Sequence, residues 1–99
     1  MEYCRLGRTN LNISRLCLGT FNFEWLIDKK KALELLDISY DYGINLIDTA
    51  DIYGSKGTGV GAVEEVIGDW FQNNQSKRNQ VILSTKVFGP MGNGINVKS

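Results

Sequence analysis

The sequence predicts an α/β fold in which an N-terminal β-hairpin is followed by a βαβαβ unit. Three short apolar runs alternate with two segments whose apolar residues have helical spacing, and an alternating segment broken by turn residues precedes them. Both helical segments are long enough for the right-handed crossovers that join neighbouring parallel strands. The predicted boundaries are residues 1–14 for the hairpin, 15–87 for the βαβαβ unit and 88–99 for a loop or tail.

The hairpin and the first parallel strand lie at the N-terminus. The turn-forming run G-R-T-N at residues 7–10 predicts that residues 3–6 pair with residues 11–13. Residues 16–18 follow as a short apolar strand that ends at Gly19-Thr20. The next loop, at 21–27, contains three aromatic residues, and the sequence leaves open whether they line a ligand pocket or cover the core. These residues are Phe21, Phe23 and Trp25.

The first helix is predicted over residues 29–42. Asp28 suits the N-cap because its carboxylate can accept a hydrogen bond from a free backbone N–H, and Gly43 suits the C-terminal end. A second strand is predicted at 44–48 and ends at Asp48. The apolar side of the helix consists of Ala32, Leu35, Leu36, Ser39 and Tyr40.

The second helix has the clearest apolar pattern in the chain. Its apolar residues follow an i, i+3, i+4, i+7, i+8 pattern and are interpreted as core. Acidic residues occupy its other side, and those near its start suit the helix dipole. A polar connection at 73–80 and a third strand at 81–87 complete the unit. The apolar residues are Val63, Val66, Ile67, Trp70 and Phe71, and the acidic ones are Glu64, Glu65 and Asp69.

The composition limits the classes of function. Hydrophobic residues make up 42% and charged residues 22% of the sequence, which is typical of a globular domain and not of a disordered chain. The formal net charge is zero, and the basic run at 29–31 is interpreted as the solvated start of a helix, so no nucleic-acid surface is expected. Since no apolar run is long enough to span a bilayer, we expect no membrane association and a cytoplasmic location.

Two cysteines and the absence of histidine argue against a metal site. Cys4 and Cys17 have no further clustered ligands, so no zinc or other metal is expected. Cys17 lies in an apolar strand and is interpreted as a small buried hydrophobic residue, whereas Cys4 is interpreted as a partly exposed thiol. A disulfide between them is disfavoured.

Neither glycine-rich turn has the pattern of a nucleotide-binding loop. A dinucleotide-binding doubly wound sheet needs G-x-G-x-x-G after its first strand, and that turn here reads L-G-T-F-N-F-E-W. The run G-T-G-V-G at residues 57–61 precedes a helix but lacks the Lys-Ser/Thr of a phosphate-binding loop. We interpret it as a flexible loop.

Five sequence blocks carry a resemblance to a known family. They are R-L-G-R-T at 5–9, S-x-L-x-L-G-T at 14–20, G-I-N-x-I-D-T-A-x-x-Y-G at 43–54, E-x-x-I-G at 64–68 and S-T-K at 84–86. In this order and spacing the chain resembles the aldo-keto reductases over nearly its whole length, and D-T-A-x-x-Y-G is the most specific block. The resemblance implies that the chain forms the first three strands of a (β/α)8 TIM barrel whose base is closed by the hairpin.

The resemblance also implies a reaction and a set of site residues. The reaction is the NADPH-dependent reduction of a small-molecule carbonyl compound, or the reverse oxidation of an alcohol. By position, Tyr53 would give a proton to the carbonyl oxygen, and Asp48 and Lys86 would be its partners. The implied cofactor-binding residues are Gly19, Thr20, Phe21 and Asp48.

The chemistry of the catalytic residue types agrees with this reaction. A phenol with an ordinary pKa near ~10 is a poor acid at neutral pH, and a neighbouring ammonium favours proton release because it stabilises the phenolate. The ends of adjacent parallel strands lie ~5 Å apart, so Asp48 and Lys86 can meet there. Each residue also has a structural interpretation: Asp48 as a loop cap, Tyr53 as a plug of the barrel mouth, and Lys86 as a solvated strand end.

The sequence departs from the family pattern in three places. The helix after the glycine run opens with Val63-Glu64 where the family has Ser-Glu, a lost N-cap that a nearby glycine replaces at small cost. The family's active-site histidine belongs to the fourth strand, and this sequence contains no histidine. The half of the barrel that grips the adenosine phosphate is also missing from it.

Three strands cannot close an eight-stranded barrel. We therefore expect the 99-residue chain to be inactive by itself. With open sheet edges it should associate with itself, bind a complementary fragment or be only partly folded. Two alternatives remain beside a reductase fragment: a non-catalytic cofactor-binding or regulatory module, and a truncated fragment without a function. Tight NADPH binding would favour the first alternative, and poorly cooperative thermal unfolding would favour the second.

Overall fold

A β-hairpin and a parallel three-stranded sheet organise the fold. The computed structural model describes residues 1–24, 27–55 and 59–87. Strands β1 and β2 pair antiparallel, and β3, β4 and β5 form a parallel sheet in that order. The predicted α/β class, with a hairpin followed by βαβαβ, is confirmed. The elements are β1 (Tyr3–Arg5), β2 (Asn12–Ser14), β3 (Leu18–Gly19), a 3-10 helix (Phe21–Glu24), α1 (Lys29–Asp41), β4 (Leu46–Asp48), α2 (Ala62–Asn73), α3 (Gln75–Arg78) and β5 (Ile82–Ser84).

The parallel sheet has two different faces because side chains alternate along each strand. One row of register partners packs against the helices and consists of Leu18, Ile47 and Leu83. The next row, on the opposite face, consists of Gly19, Asp48 and Ser84. The alternation therefore places the Asp48 side chain away from the helical layer.

The core lies between the sheet and the two long helices. A fully buried valine, leucine or isoleucine side chain contributes about 1.5–3 kcal/mol relative to an exposed one. Polar contacts also join the helices, since the Trp70 indole N–H donates to the Asp37 carboxylate at 2.8 Å. The buried helical residues are Ala32 and Leu36 of α1 and Val63, Ile67 and Trp70 of α2.

The ends of α1 agree with the sequence analysis. The Asp28 carboxylate accepts a hydrogen bond from the Lys31 amide at 2.9 Å, as an N-cap does. Gly43 follows the C-terminal end with φ = 93°, a left-handed conformation that favours glycine. The Tyr3 hydroxyl donates to the Gly43 carbonyl oxygen at 2.6 Å, which ties the hairpin to this end of the helix.

Asn45 anchors the hairpin to the N-terminal end of β4. Its side-chain oxygen accepts from the Ser14 amide at 2.7 Å, and its side-chain nitrogen donates to the Asn12 carbonyl oxygen at 2.9 Å. The hairpin therefore lies at the opposite end of the strands from Asp48.

Several predicted element boundaries are wrong. The second parallel strand begins at Leu46, because the Ile44 amide still donates to the Ser39 carbonyl oxygen at the end of α1. The strand predicted at 81–87 is only Ile82–Ser84, since its ladder with β4 ends where Asp48 faces Ser84. The strand predicted at 16–18 begins at Leu18, and the connection predicted at 73–80 contains α3.

Two residues predicted to be buried are exposed. Cys17 precedes Leu18 and so lies on the sheet face opposite the helices, where it lines an open groove with Leu46 and Ile82. Leu35 lies one residue, and so about 100° of rotation, from buried Leu36. The half-buried residue that packs against the core on the other side of Leu36 is Leu33.

Some predictions fall on residues that the structure does not describe. They are the tail at 88–99, Trp25, and the part of the glycine run at 57–58. Within the described ranges, no helix is both long and apolar enough to cross a membrane.

Candidate active site

The C-terminal ends of the parallel strands bring Asp48, Tyr53 and Lys86 together. Asp48 is the last residue of β4, and Lys86 lies two residues beyond β5. Hydrogen bonding between the two segments continues past the strands, since the Thr49 amide donates to the Ser84 carbonyl oxygen at 2.8 Å. Tyr53 lies on the loop between β4 and α2, where its side chain is half-buried and packs against the core.

The Lys86 ammonium is the centre of this cluster. Its Nζ donates to Asp48 Oδ2 at 3.0 Å and to the Thr49 carbonyl oxygen at 2.8 Å. The same nitrogen lies 5.1 Å from the centroid of the Tyr53 ring, within the range of a cation–π contact. Lys86 therefore contacts both of the residues that the sequence assigned to it as partners.

The surroundings of Lys86 keep it protonated. Burial by itself lowers the pKa of the ammonium, but hydrogen bonds to Asp48 and Tyr53 and the charges of these two groups outweigh that effect and raise the pKa. The ion pair is nevertheless partly open to solvent, with side-chain exposures of 46% and 38%. A pair in this setting contributes about 0.2–1 kcal/mol to stability. Its main effect is to hold a positive charge beside the phenol.

Thr20, the residue after β3, supports Asp48. Its amide and its hydroxyl both donate to the Asp48 carbonyl oxygen, at 3.1 Å and 2.9 Å. Thr20 has no exposed surface, so in this structure its hydroxyl holds the end of β4. Its contact with a cofactor stays a prediction.

Gly19 and Phe21 lie on the open side of the cluster. A Cβ added to Gly19 would meet no atom within 4 Å, so the space beside its Cα is free. Phe21 is 42% exposed, and its ring meets that of Tyr53 edge to face at 5.3 Å. Phe23 is instead buried in the core. The interpretation that the aromatic loop covers the core is therefore correct for Phe23, and a ligand contact of Phe21 stays a prediction.

A groove of about 600 Å³ runs along the sheet face that carries Asp48. Apolar residues of the hairpin and the strands line most of it, and Gly19, Asp48 and Ser84 form the end nearest Lys86. Cys17 is exposed as a residue, yet partial burial of its thiol and, second, the charge of Asp48 raise the pKa of Cys17. The thiol is thus kept neutral and is a poor nucleophile.

One contact beside the site is not predicted by the sequence. The Thr85 hydroxyl donates to Glu64 Oε2 at 2.6 Å, and Glu64 is half-buried although its helical position predicts a solvated side. The E-x-x-I-G block draws attention to Glu64, but no spacing rule identifies Thr85 as its partner. Such a pairing depends on how α2 packs against β5.

Comparison with known proteins identifies the family. The model of the Aldo/keto reductase family matches residues 15–99. The chain belongs to the aldo/keto reductase family. The resemblance stated from the five sequence blocks is therefore confirmed.

Several relatives cover the chain. It is 48% identical over 91 residues to the uncharacterized oxidoreductase YrpG of Bacillus subtilis, in an alignment that spans 92% of this chain and 28% of that protein. It is 39% identical over 87 residues to an uncharacterized 11.2 kDa protein of Pseudescherichia vulneris, with 83% and 82% covered. A solved structure from Pseudomonas aeruginosa assigned to the aldo-keto reductases matches with a TM-score of 0.73 and 33% identity, covering 98% of this chain and 35% of that one. This chain thus spans less than a third of the length of the Bacillus relative.

Proposed function

We propose that this chain supplies the proton-donating part of an NADPH-dependent carbonyl reductase, as the N-terminal portion of a (β/α)8 barrel. The observation that supports the proposal is the Lys86 ammonium held between Asp48 and Tyr53 at the C-terminal ends of the strands. Functional groups in barrels of this kind lie at that end.

In the proposed reaction Tyr53 gives its hydroxyl proton to the oxygen of an aldehyde or ketone, while the carbonyl carbon accepts a hydride. NADPH is the source of that hydride when it is bound. Lys86 stabilises the phenolate that remains on Tyr53, because its positive charge lies against the ring. Asp48 holds the ammonium in place. The product is an alcohol, and in the reverse direction the Tyr53 phenolate takes up the proton of the alcohol.

The open side of the cluster fits the nicotinamide end of the cofactor. Gly19 leaves free space at the end of β3, and the exposed ring of Phe21 offers an apolar surface beside Tyr53. Asp48 faces the same side from β4. Thr20 would contribute mainly through Asp48, whose carbonyl oxygen it binds. The choice of NADPH over NADH belongs to the proposal and follows from the family resemblance.

We expect the 99-residue chain to show no turnover by itself. The row of Gly19, Asp48 and Ser84 faces an open groove, and catalysis of this kind depends on a site from which water is excluded. The edges of the three-stranded sheet would also favour self-association. We place the protein in the cytoplasm, a compartment that keeps cysteines reduced, in keeping with the two free thiols.

A chimera tests the catalytic proposal. In it this chain replaces the matching N-terminal segment of the Bacillus subtilis relative, which is 48% identical there. With NADPH and a reactive aldehyde that the unmodified relative reduces, we expect turnover. Tyr53→Phe keeps the ring but removes the proton donor, and should lower kcat by about 10²–10⁴. Tyr42→Phe is the matched control, because Tyr42 is 75% exposed at the end of α1.

The results distinguish a catalytic part of a reductase from a non-catalytic cofactor-binding module and from a fragment without a function. Full activity in Tyr53→Phe would contradict the proposed chemistry. A folded chimera that binds NADPH tightly in a fluorescence titration but turns over no aldehyde would favour the non-catalytic module. The isolated chain would count as a functionless fragment if its thermal unfolding were broad and it bound no NADPH.

A further inference from the structure

We propose that Glu64 and Thr85 form a positioning pair that directs Lys86 toward Asp48. The pair is a feature of the described geometry, and only its catalytic meaning rests on the proposed function. The hydrogen bond of the pair runs from Thr85 to Glu64, so its effect on Lys86 would be exerted through the backbone of the strand end.

Lys86 lies beyond the last register pair of β5, where backbone hydrogen bonds to the segment after β4 continue. The ladder with β4 ends at Ser84, and Lys86 is exposed. Besides the two bonds of the Lys86 ammonium, two hydrogen bonds hold the following segment in the described part of the chain. The Lys86 carbonyl oxygen accepts from the Asp51 amide at 3.1 Å, and the Thr85 hydroxyl donates to Glu64 Oε2 at 2.6 Å.

Because side chains alternate along the chain, the Thr85 contact determines the side to which the Lys86 side chain points. Neighbouring residues in extended backbone point to opposite sides. Thr85 points toward α2, on the side where Leu83 packs against the core, and Lys86 points to the side of Asp48. Because Thr85 is tied to Glu64, the strand end cannot rotate freely about its axis. The ammonium is thereby kept on the sheet face that carries the groove.

The first turn of α2 connects the two halves of the site. The Val63 amide donates to the Tyr53 carbonyl oxygen at 3.4 Å, and the next residue, Glu64, binds Thr85. The Glu65 amide donates to the Gly61 carbonyl oxygen at 3.1 Å and so closes the first turn. A carboxylate at this position also suits the positive end of the helix dipole. One helical turn therefore holds both the loop of Tyr53 and the strand end of Lys86.

Competitive acylation of lysines tests this inference in the 99-residue chain. Limiting acetic anhydride reacts only with unprotonated amines, and peptide mass spectrometry gives the rate of Lys86 relative to exposed Lys30 on α1. In the parent chain we expect a ratio below one, because Lys86 is held protonated by its partners. Thr85→Val keeps the shape but removes the hydroxyl, and should move the ratio toward one.

Three further variants complete the experiment. Glu64→Ala should have the same effect as Thr85→Val, while Glu65→Ala, a change in the same helical turn at an exposed side chain, should keep the parent ratio. Thr85→Ser restores the hydroxyl and should restore the ratio. If Thr85→Val does not fold, the Glu64→Ala ratio decides the matter.

A lower unfolding temperature with an unchanged Lys86 ratio would show that the pair is only structural and would overturn the inference. Equal acylation rates of Lys86 and Lys30 in the parent chain would overturn the inference as well, since the partners of Lys86 would then not protect its ammonium. No substrate turnover enters this experiment, so its failure is distinct from activity surviving in Tyr53→Phe.

Discussion

An Asp48→Asn substitution removes the charge that faces Lys86 while it keeps the size of the side chain. The two groups are 3.0 Å apart and have side-chain exposures of 46% and 38%. Exposed ion pairs contribute about 0.2–1 kcal/mol, and Lys86 keeps its hydrogen bond to the Thr49 carbonyl oxygen in the variant. We therefore expect the free energy of unfolding to fall by less than about 1 kcal/mol.

Ile47, the residue before Asp48, shows how strongly a structural residue of β4 affects the free energy of unfolding. Ile47 is 3% exposed and packs against the helices from the opposite face of the same strand. Ile47→Ala removes buried methyl groups and leaves a cavity, which costs about 2–5 kcal/mol. One step along β4 thus separates a small effect on stability from a large one.

Urea unfolding followed by far-UV circular dichroism measures both substitutions in the 99-residue chain. The same Asp48→Asn change in the chimera should lower kcat by at least about tenfold, because Lys86 loses the carboxylate that places it against Tyr53. Asp48→Asn would then have a small effect on stability and a large effect on activity, whereas Ile47→Ala would have a large effect on stability.

Two results would refute the reasoning. If Asp48→Asn destabilised the chain as much as Ile47→Ala, Asp48 would be a structural cap of the loop. If the chimera kept its kcat with asparagine at this position, the ion pair would have no part in the chemistry.

The remaining predictions concern pH and the loop that carries Tyr53. Because the folded-state pKa of Lys86 is raised, its contribution to stability is fully present below the ordinary lysine pKa of about 10.4 and is lost as the pH rises through the folded-state value. In urea titrations, the difference between the parent and Asp48→Asn should therefore be constant from neutral pH to about pH 9 and should decline only above the ordinary lysine pKa of about 10.4; a difference that declined below about pH 9 would contradict the Lys86 assignment. Gly54→Ala places a Cβ 1.9 Å from the Gly59 carbonyl oxygen at φ = 114° and should lower the unfolding free energy by more than about 1 kcal/mol. Gly68→Ala, at an open position of α2, is its control and should be neutral or stabilising, and equal losses at both glycines would show that the loop is not constrained.

The α/β class, both long helices and the family can be predicted from the sequence without the structure. These features follow from local patterns: helical spacing from Val63 to Phe71, an N-cap at Asp28, and short motifs with set intervals. The resemblance of the sequence to the family also selected Asp48, Tyr53 and Lys86 as candidates, and the position of Asp48 at a strand end agrees with where functional groups lie in such barrels. The structure brings these three side chains together.

Contacts between side chains of different elements could be known only from the folded structure. The Thr85 hydroxyl finds Glu64, Thr20 is buried under Asp48, and Cys17 lies on the open face of the sheet. Local spacing gives the direction of a side chain relative to its own strand or helix, but not the element that packs against it. Burial and pairing depend on the packing of α2 against β5 and of β3 against β4, and those are contacts between residues far apart in the chain.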